Sequence, residues 1–122
     1  MPIDFAIEPE RRRVVSRCFG VLAARDMSEH QDAIAADPTF EPEFSQLFDL
    51  TEVERIDVDR AATIALARRS PFSPDARTAV VATSALAVGL SRVFGAMVHG
   101  GRRDLQVFDN VAAALQWLAT EE

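Results

Sequence analysis

Apolar and polar residues alternate in two segments near the start of the chain. Residues 3–8 and residues 13–19 both show the period of two that half-buried strands have. A short polar connection separates them, so the pattern predicts a β-hairpin. Residues 24–36 carry apolar side chains at helical spacing instead, and Asp37 and Pro38 end that predicted helix.

The remainder of the chain predicts three strands that are each followed by a helix. Apolar runs at 44–50, 78–82 and 105–108 are typical of strands, and apolar residues recur at helical spacing after each run. In the helix that Ser84 caps, the stripe expected to face inward is Leu86, Leu90, Phe94 and Met97. Because the later strands return through helices, they should be mainly parallel, with right-handed crossovers. The prediction is one α/β domain over residues 1–122, with a single mixed, mainly parallel sheet of about five strands and about four helices.

Composition narrows the classes of function. The formal net charge is −6, from 19 acidic residues against 13 basic ones, and every basic residue is arginine. An acidic chain without a broad basic face is a poor candidate for nucleic-acid binding, because phosphate contacts dominate that affinity. The absence of lysine excludes Schiff-base chemistry and the phosphate-binding lysine of nucleotide-binding loops.

The sequence also predicts a cytoplasmic protein without a membrane span. Its longest apolar stretch, residues 78–98, is interrupted by Ser84, Gly89, Ser91 and Arg92. The first residues lack the basic and apolar regions of a secretory signal. The single cysteine, Cys18, fits a reducing compartment because it cannot form an internal disulfide.

Three aspartates, Asp49, Asp57 and Asp59, make residues 47–60 the most informative segment. The apolar run is expected to end near Leu50 and become a loop, and Asp57 or Asp59 is expected to cap the next helix. That layout would place the three carboxylates near one strand-end loop and one helix N-terminus, where α/β proteins commonly bind ligands and partners. The calcium-loop spacing is missing and no histidine or cysteine is near, so loop and capping acids are favoured over a metal site.

The residues most often used in catalysis give no signature. Cys18 lies mid-strand among apolar residues and is predicted to be a buried structural thiol. His30 is expected on the solvent edge of its helix, and His99 is expected at a helix end that Gly100 and Gly101 terminate. No glycine-rich nucleotide fingerprint follows a strand. The sequence therefore predicts no enzyme activity, no cofactor and no metal.

A family resemblance covers nearly the whole chain. Residues 49–57, Asp-Leu-Thr-Glu-Val-Glu-Arg-Ile-Asp, are similar to the string Asp-Leu-Ser-x-Val-x-x-Ile-Asp of STAS domains (the sulfate-transporter and anti-sigma-factor-antagonist domains). Four other segments resemble, in the same order, uncharacterised bacterial members of the SpoIIAA-like, or STAS/SEC14, group: residues 70–72, 78–82, 89–94 and 107–118. The resemblance implies a STAS-like fold.

The chain departs from the family string where a phosphoacceptor would be. In anti-sigma-factor antagonists, the Ile-Asp pair is followed by two serines and a glycine, and the second serine accepts the phosphate. Val58, Asp59 and Arg60 stand at those positions here, so this site lacks the hydroxyl that a phosphorylation switch needs. Asp59 either mimics the modified state permanently or only caps a helix, and capping is the favoured interpretation because acids are common at that position.

The resemblance implies a non-enzymatic domain that binds another protein. The partner-binding residues it predicts are Asp49, Thr51, Asp57, Val58, Asp59 and Arg60. The alternative is a small apolar ligand or a lipid, as in SEC14-like relatives, in a pocket walled by Leu90, Phe94 and Met97. A homodimer is compatible with the sequence, and Trp117 is expected either at the rim of the core or against a partner.

Overall fold

Within residues 2–99 and 104–120, five strands and four α-helices follow one another in the predicted order. These residues are the part of the chain that the computed structural model describes, without the side chains of Val98 and His99. The glycine-terminated helix end predicted at Gly100 and Gly101, and the side-chain role predicted for His99, lie outside the described residues. The elements are β1 (Ile3–Glu8), a short 3-10 helix (Pro9–Arg11), β2 (Arg13–Ala23), α1 (Ala24–Ala36), β3 (Ser45–Asp57), α2 (Arg60–Arg68), β4 (Thr78–Val81), α3 (Ala85–His99), β5 (Leu105–Phe108) and α4 (Val111–Leu118).

The strands form one sheet in the order β1-β2-β3-β4-β5. The β1–β2 hairpin is antiparallel, and the other three pairings are parallel. Each parallel strand lies beside the one before it, so right-handed crossovers place α1, α2 and α3 on the same face of the sheet. The helix α4 packs on the opposite face, against β3, β4 and β5. The predicted α/β class, with a mainly parallel mixed sheet, is confirmed.

The strands β2 and β3 are longer than predicted. Pairing between β3 and β4 ends at Asp49, so residues 50–57 of β3 pair with β2 alone and form a two-stranded ribbon. The β2–β3 register shifts twice, once around Cys18 and once after Gly20, which has a φ of 68°. The predicted loop after Leu50 and the predicted end of the second strand at residue 19 are therefore replaced by a ladder that continues past two bulges, each with one extra residue on β3.

Small side chains bring α3 close to the sheet. Within residues 85–97 its buried positions are Ala87, Ser91 and Gly95, and a Cβ added to Gly95 would lie 3.0 Å from the Cβ of Leu105. The predicted inward stripe was wrong at both ends, since Leu86 is 56% exposed and Met97 is 44% exposed. The amphipathic pattern weighted large apolar residues, whereas close helix–sheet packing here selects the smallest ones.

The α4 face has a densely packed core of its own. Leu47, Ala79, Val81 and Ala114 form its buried centre, and Leu47 is only 2% exposed. Trp117 packs at the border of this cluster, with its ring 5.7 Å from that of Phe108. The guanidinium of Arg77 lies 5.2 Å from the Trp117 ring centroid and donates to the carbonyl oxygens of Trp117 and Thr120 at 3.0 and 2.9 Å. Trp117 therefore occupies the rim of the core, one of its two predicted places.

Candidate functional site

The turn between β3 and α2 presents a charged surface, which we define as residues 57–60 and call the β3–α2 surface. Asp59 is the N-cap of α2, where its Oδ1 accepts a hydrogen bond from the Ala62 N–H at 2.8 Å. The Thr63 hydroxyl donates to the Asp59 carbonyl oxygen at 2.9 Å and fixes the same turn. The predicted capping role of Asp59 is confirmed, and its carboxylate is held in place while remaining exposed.

The other charges of the β3–α2 surface are exposed as well. Asp57 accepts a hydrogen bond from Arg55 at 2.6 Å, and this bond, together with the charge of Asp57, raises the pKa of the Arg55 guanidinium. Arg60 is exposed at the first position of α2. Exposed ion pairs contribute little to folding, typically about 0–1 kcal/mol, so these groups can exchange their partners at little cost to stability.

Asp49 and Thr51 lie apart from the β3–α2 surface. Asp49 is eight positions before Asp57 on the same strand, a separation of roughly 25 Å at about 3.3 Å per residue. Its Oδ1 accepts hydrogen bonds from the N–H and the hydroxyl of Thr51, at 2.9 and 2.7 Å, and its side chain is largely buried. Asp49 therefore stabilises the bulge in β3. The expectation that it shares a loop with Asp57 and Asp59 was wrong, because β2 extends the ladder through that segment.

A cavity of about 100 Å³ lies between the α1–α3 layer and the sheet, partly open to solvent. Leu90 and Phe94, the predicted pocket residues on α3, belong to its lining, and Met97 does not. Ile56 and Val58 also contribute, so the cavity lies directly behind the β3–α2 surface. The full lining is Leu22, Met27, His30, Gln31, Ile34, Gln46, Phe48, Leu50, Ile56, Val58, Thr63, Leu66, Ser70, Pro71, Phe72, Thr78, Val80, Ala87, Leu90, Ser91, Phe94 and Leu105.

His30 is a buried member of this lining. Its Nε2 lies 2.8 Å from the Ser16 Oγ, and its ring meets the edge of Phe5 at 5.6 Å. Burial lowers the pKa of His30 to about 4, so the imidazole is neutral at physiological pH. The expected position at the solvent edge of α1 was wrong. A sequence signal existed in Ser16, a polar residue on the buried face of β2 that needs a hydrogen-bonding partner.

Gln31 is the second buried polar residue that sequence reasoning missed. Its Nε2 donates to the Leu66 carbonyl oxygen at 2.9 Å and ties α1 to α2. Its Oε1 is buried and has no hydrogen-bond partner within the described residues. A buried amide oxygen normally accepts a hydrogen bond, so Gln31 Oε1 is an unused acceptor in the protein interior.

Cys18 lies in a buried environment that keeps its thiol protonated. The thiol is buried as predicted, and burial, followed by the charge of Asp49, raises the pKa of Cys18 to about 12. A thiolate, the nucleophilic form, is therefore almost absent at neutral pH. Across residues 2–99 and 104–120, no group of three or more His, Cys, Asp or Glu side chains is arranged to hold a metal ion. None of the described helices is long and apolar enough to span a bilayer.

Comparisons with known proteins identify the fold. No family model and no curated protein matches this sequence. Among solved structures, one similar chain is an uncharacterised protein of the DUF3478 family with a SpoIIAA-like fold, from Shewanella loihica PV-4, with 21% identity, coverage of 96% of this chain and 94% of that one, and a TM-score of 0.61. Another is the anti-sigma factor antagonist SpoIIAA in its unphosphorylated form, with 14% identity, coverage of 93% and 94%, and a TM-score of 0.61. The chain therefore has the SpoIIAA-like fold that its sequence resembles.

Proposed function

We propose that this is a non-enzymatic domain that binds another protein through the β3–α2 surface. The observation that carries the proposal is that Asp57, Asp59 and Arg60 are exposed together at a turn held by the α2 cap. The turn lies at the carboxyl end of β3, the side on which open α/β sheets meet their ligands and partners. One solved structure of similar fold is an anti-sigma factor antagonist, and that name describes a protein that acts on another protein. This likeness supports a protein-binding role.

The proposal gives Asp59 a permanent negative charge in place of a reversible one. The resemblance aligns Asp59 with a phosphoacceptor serine, and a carboxylate cannot be phosphorylated. One carboxylate supplies a single charge, against about 1.5–2 for a phosphoserine, so the mimicry is partial. Binding through this surface is then independent of a kinase, and the partner is expected to present a cationic group to Asp59.

Two substitutions at Asp59 separate charge from capping. Asparagine caps helices about as well as aspartate, so Asp59→Asn keeps the bond to the Ala62 N–H and removes the charge, whereas Asp59→Arg removes both. We expect partner recovery from extracts of the native cell, quantified by mass spectrometry, to fall at least ~10-fold for Asp59→Asn and further for Asp59→Arg. A tenfold fall corresponds to about 1.4 kcal/mol.

A matched control comes from the other face of the molecule. Asn110 is the N-cap of α4, where its Oδ1 accepts from the Ala113 N–H at 2.8 Å, so Asn110→Asp makes the reverse change at an equivalent cap. Its partner recovery should equal that of the wild type. If Asp59→Asn and Asp59→Arg also recover the same proteins in the same amounts, the β3–α2 surface is not the one used.

The buried state of the two best nucleophile and base candidates supports a non-enzymatic role. Cys18 is a buried thiol with a raised pKa, and His30 is neutral, largely buried and bonded to Ser16. Neither group is exposed at the surface, and the hydrogen bond to Ser16 occupies the Nε2 of His30. The free thiol of Cys18 also agrees with our proposal that the domain works in the reducing cytoplasm.

The cavity supports a second candidate function, binding of a small ligand. Its volume of about 100 Å³ is well below the ~300–1,000 Å³ of typical small-molecule pockets, which favours a few-atom ligand over a whole lipid. Titration of the ¹⁵N-labelled protein with small organic molecules, followed by NMR, tests this function. Saturable shifts at residues around Leu90 and Phe94 would support it, and an unchanged spectrum at 100 mM of every probe would end it.

A further inference from the structure

We propose that the cavity behind the β3–α2 surface takes a small uncharged molecule that carries a hydrogen-bond donor, such as a short aliphatic alcohol. This inference rests on the second candidate function above and names the chemistry of its ligand. Three features of the lining lead to it: the absence of charge, the identity of its free hydrogen-bonding groups, and its size.

The lining excludes charged ligands. Its residues include leucine, isoleucine, valine, phenylalanine and methionine but no aspartate, glutamate, lysine or arginine. An ionised group transferred from water into such a site loses its hydration without gaining a counter-charge, which is strongly unfavourable. The titratable residue of the lining, His30, is neutral and already bonded to Ser16. Carboxylates, phosphates and ammonium ions are therefore poor occupants.

Gln31 supplies the acceptor that selects a donor. Its amide has one orientation, because only the NH₂ group can donate to the Leu66 carbonyl oxygen. The oxygen of the same amide is then the atom left without a partner, in a side chain that is 7% exposed. A donor carried by an occupant of the cavity would satisfy it, after a side-chain adjustment that brings the oxygen to the cavity wall.

Two hydroxyl groups of the lining have already used their hydrogens. Thr63 donates to the Asp59 carbonyl oxygen, and Ser91 donates to the Ala87 carbonyl oxygen at 2.7 Å. What each hydroxyl can still offer an occupant is an oxygen lone pair. The Gln31 Oε1 is then the buried side-chain atom of the described residues that lacks a hydrogen-bond partner, so a ligand that carries a donor is favoured over one that can only accept.

The size of the cavity limits the buried part of the ligand. An engineered protein cavity of about 150 Å³ holds the six carbons of benzene, so about 100 Å³ accommodates about four non-hydrogen atoms. The opening to solvent lets a longer chain project outward. The small residues Ala87 and Ser91 on α3 create this space, because larger side chains there would fill it.

Two isomers provide the sharpest probe of the proposal. 1-Butanol and diethyl ether have the same atoms and nearly the same size, but only the alcohol carries a donor. We expect NMR titration of the whole chain to show the alcohol binding about 3–10-fold more tightly than the ether, the range that one net hydrogen bond gives. Nuclear Overhauser contacts from the butanol methyl group to Leu90 and Phe94 should locate it in the cavity, and this measurement needs no variant.

Three variants assign the preference to its source. Gln31→Met removes the acceptor at similar length and should bring the two affinities within twofold of each other. Ser91→Leu fills the cavity and should abolish binding of both isomers. Gly89→Ala, on the exposed side of α3 with open space around it, is the control and should bind as the wild type does.

The possible results distinguish failure of the proposed ligand class from failure of the second candidate function, small-ligand binding in the cavity. Equal binding of the two isomers by the wild type, or butylammonium binding as tightly as butanol, overturns the proposed class while the cavity remains a ligand site. Binding of neither isomer at 100 mM overturns both the class and the second candidate function. If a folded Gln31→Met variant still binds the alcohol more tightly than the ether, Gln31 is not the source of the preference. That result overturns the proposal that the ligand carries a hydrogen-bond donor.

Discussion

The two faces of the sheet differ in how completely their helices cover them. On one face, the single helix α4 encloses Leu47, Ala79 and Val81 so tightly that they are almost fully buried. On the other face, α1, α2 and α3 together leave a cavity of about 100 Å³. Whether a cavity remains between the sheet and its helices therefore depends on the volume of the side chains that face each other and not on the number of helices. The looser face is also the one that carries both candidate functions.

The largest expected effect contrasts one leucine from each face. Leu47→Ala should lower the free energy of unfolding by about 4 kcal/mol, because the truncation opens a cavity in a core that has no space to collapse. Leu90→Ala should lower it by only about 1 kcal/mol, since that side chain is half-buried and already borders the cavity. Urea denaturation of both variants measures the two values. Similar losses would contradict the difference in packing between the faces.

A second prediction concerns pH and the polar groups of the looser face. Burial lowers the pKa of His30 from 6.5 to about 4, so the unfolded chain holds a proton between these values that the folded chain excludes. This contribution to stability is fully present above about pH 6.5 and is lost as the pH falls toward 4, by about 1.4 kcal/mol per unit and about 3 kcal/mol in total. Urea midpoints between pH 7 and pH 4 measure it.

The matched control for the pH prediction is His30→Gln. Glutamine keeps a hydrogen-bonding group toward Ser16 but does not titrate, so the difference between the two pH profiles isolates the imidazole. A variant that kept the full wild-type slope would assign the pH dependence to other residues.

The smallest expected effects come from two glycines of α3. Gly95→Ala should cost about 2 kcal/mol, because its new Cβ would lie 3.0 Å from the Cβ of Leu105 and would separate α3 from β5. Gly89→Ala meets open space and should stabilise the protein by about 0.5–1 kcal/mol through helix propensity. Thermal unfolding compares them. Equal shifts of the same sign would show that α3 does not approach the sheet through Gly95.

Sequence patterns predicted the order and type of the secondary-structure elements better than they predicted where the strands end. The alternation in the hairpin and the apolar runs of β4 and β5 carry their own signals, because those strands are buried or half-buried. Residues 51–57 carry no such signal, since most of them face solvent and their strand conformation depends on β2. The conformation of such a segment depends on a partner strand that is distant in sequence, and a local sequence pattern does not reveal that pairing.

The candidate sites were predicted in the same uneven way. The Asp59 cap followed from local chemistry, and the placement of Leu90 and Phe94 followed from helical spacing. Burial of His30 and Gln31 could not be predicted in that way, because their partners lie 14 and 35 positions away along the chain. A polar residue is buried only where the fold supplies such a partner.

The position of α4 in the chain has a consequence for synthesis. Because α4 follows all five strands, a ribosome releases it after the sheet that it covers, and the apolar face around Leu47, Ala79 and Val81 stays open on the nascent chain until then. Partly assembled parallel sheets with exposed apolar surface are prone to aggregate. Once α4 arrives, Arg77, next to the start of β4, binds the carbonyl oxygens of Trp117 and Thr120 at its end. Docking of α4 therefore covers this apolar face and removes it as a surface for aggregation.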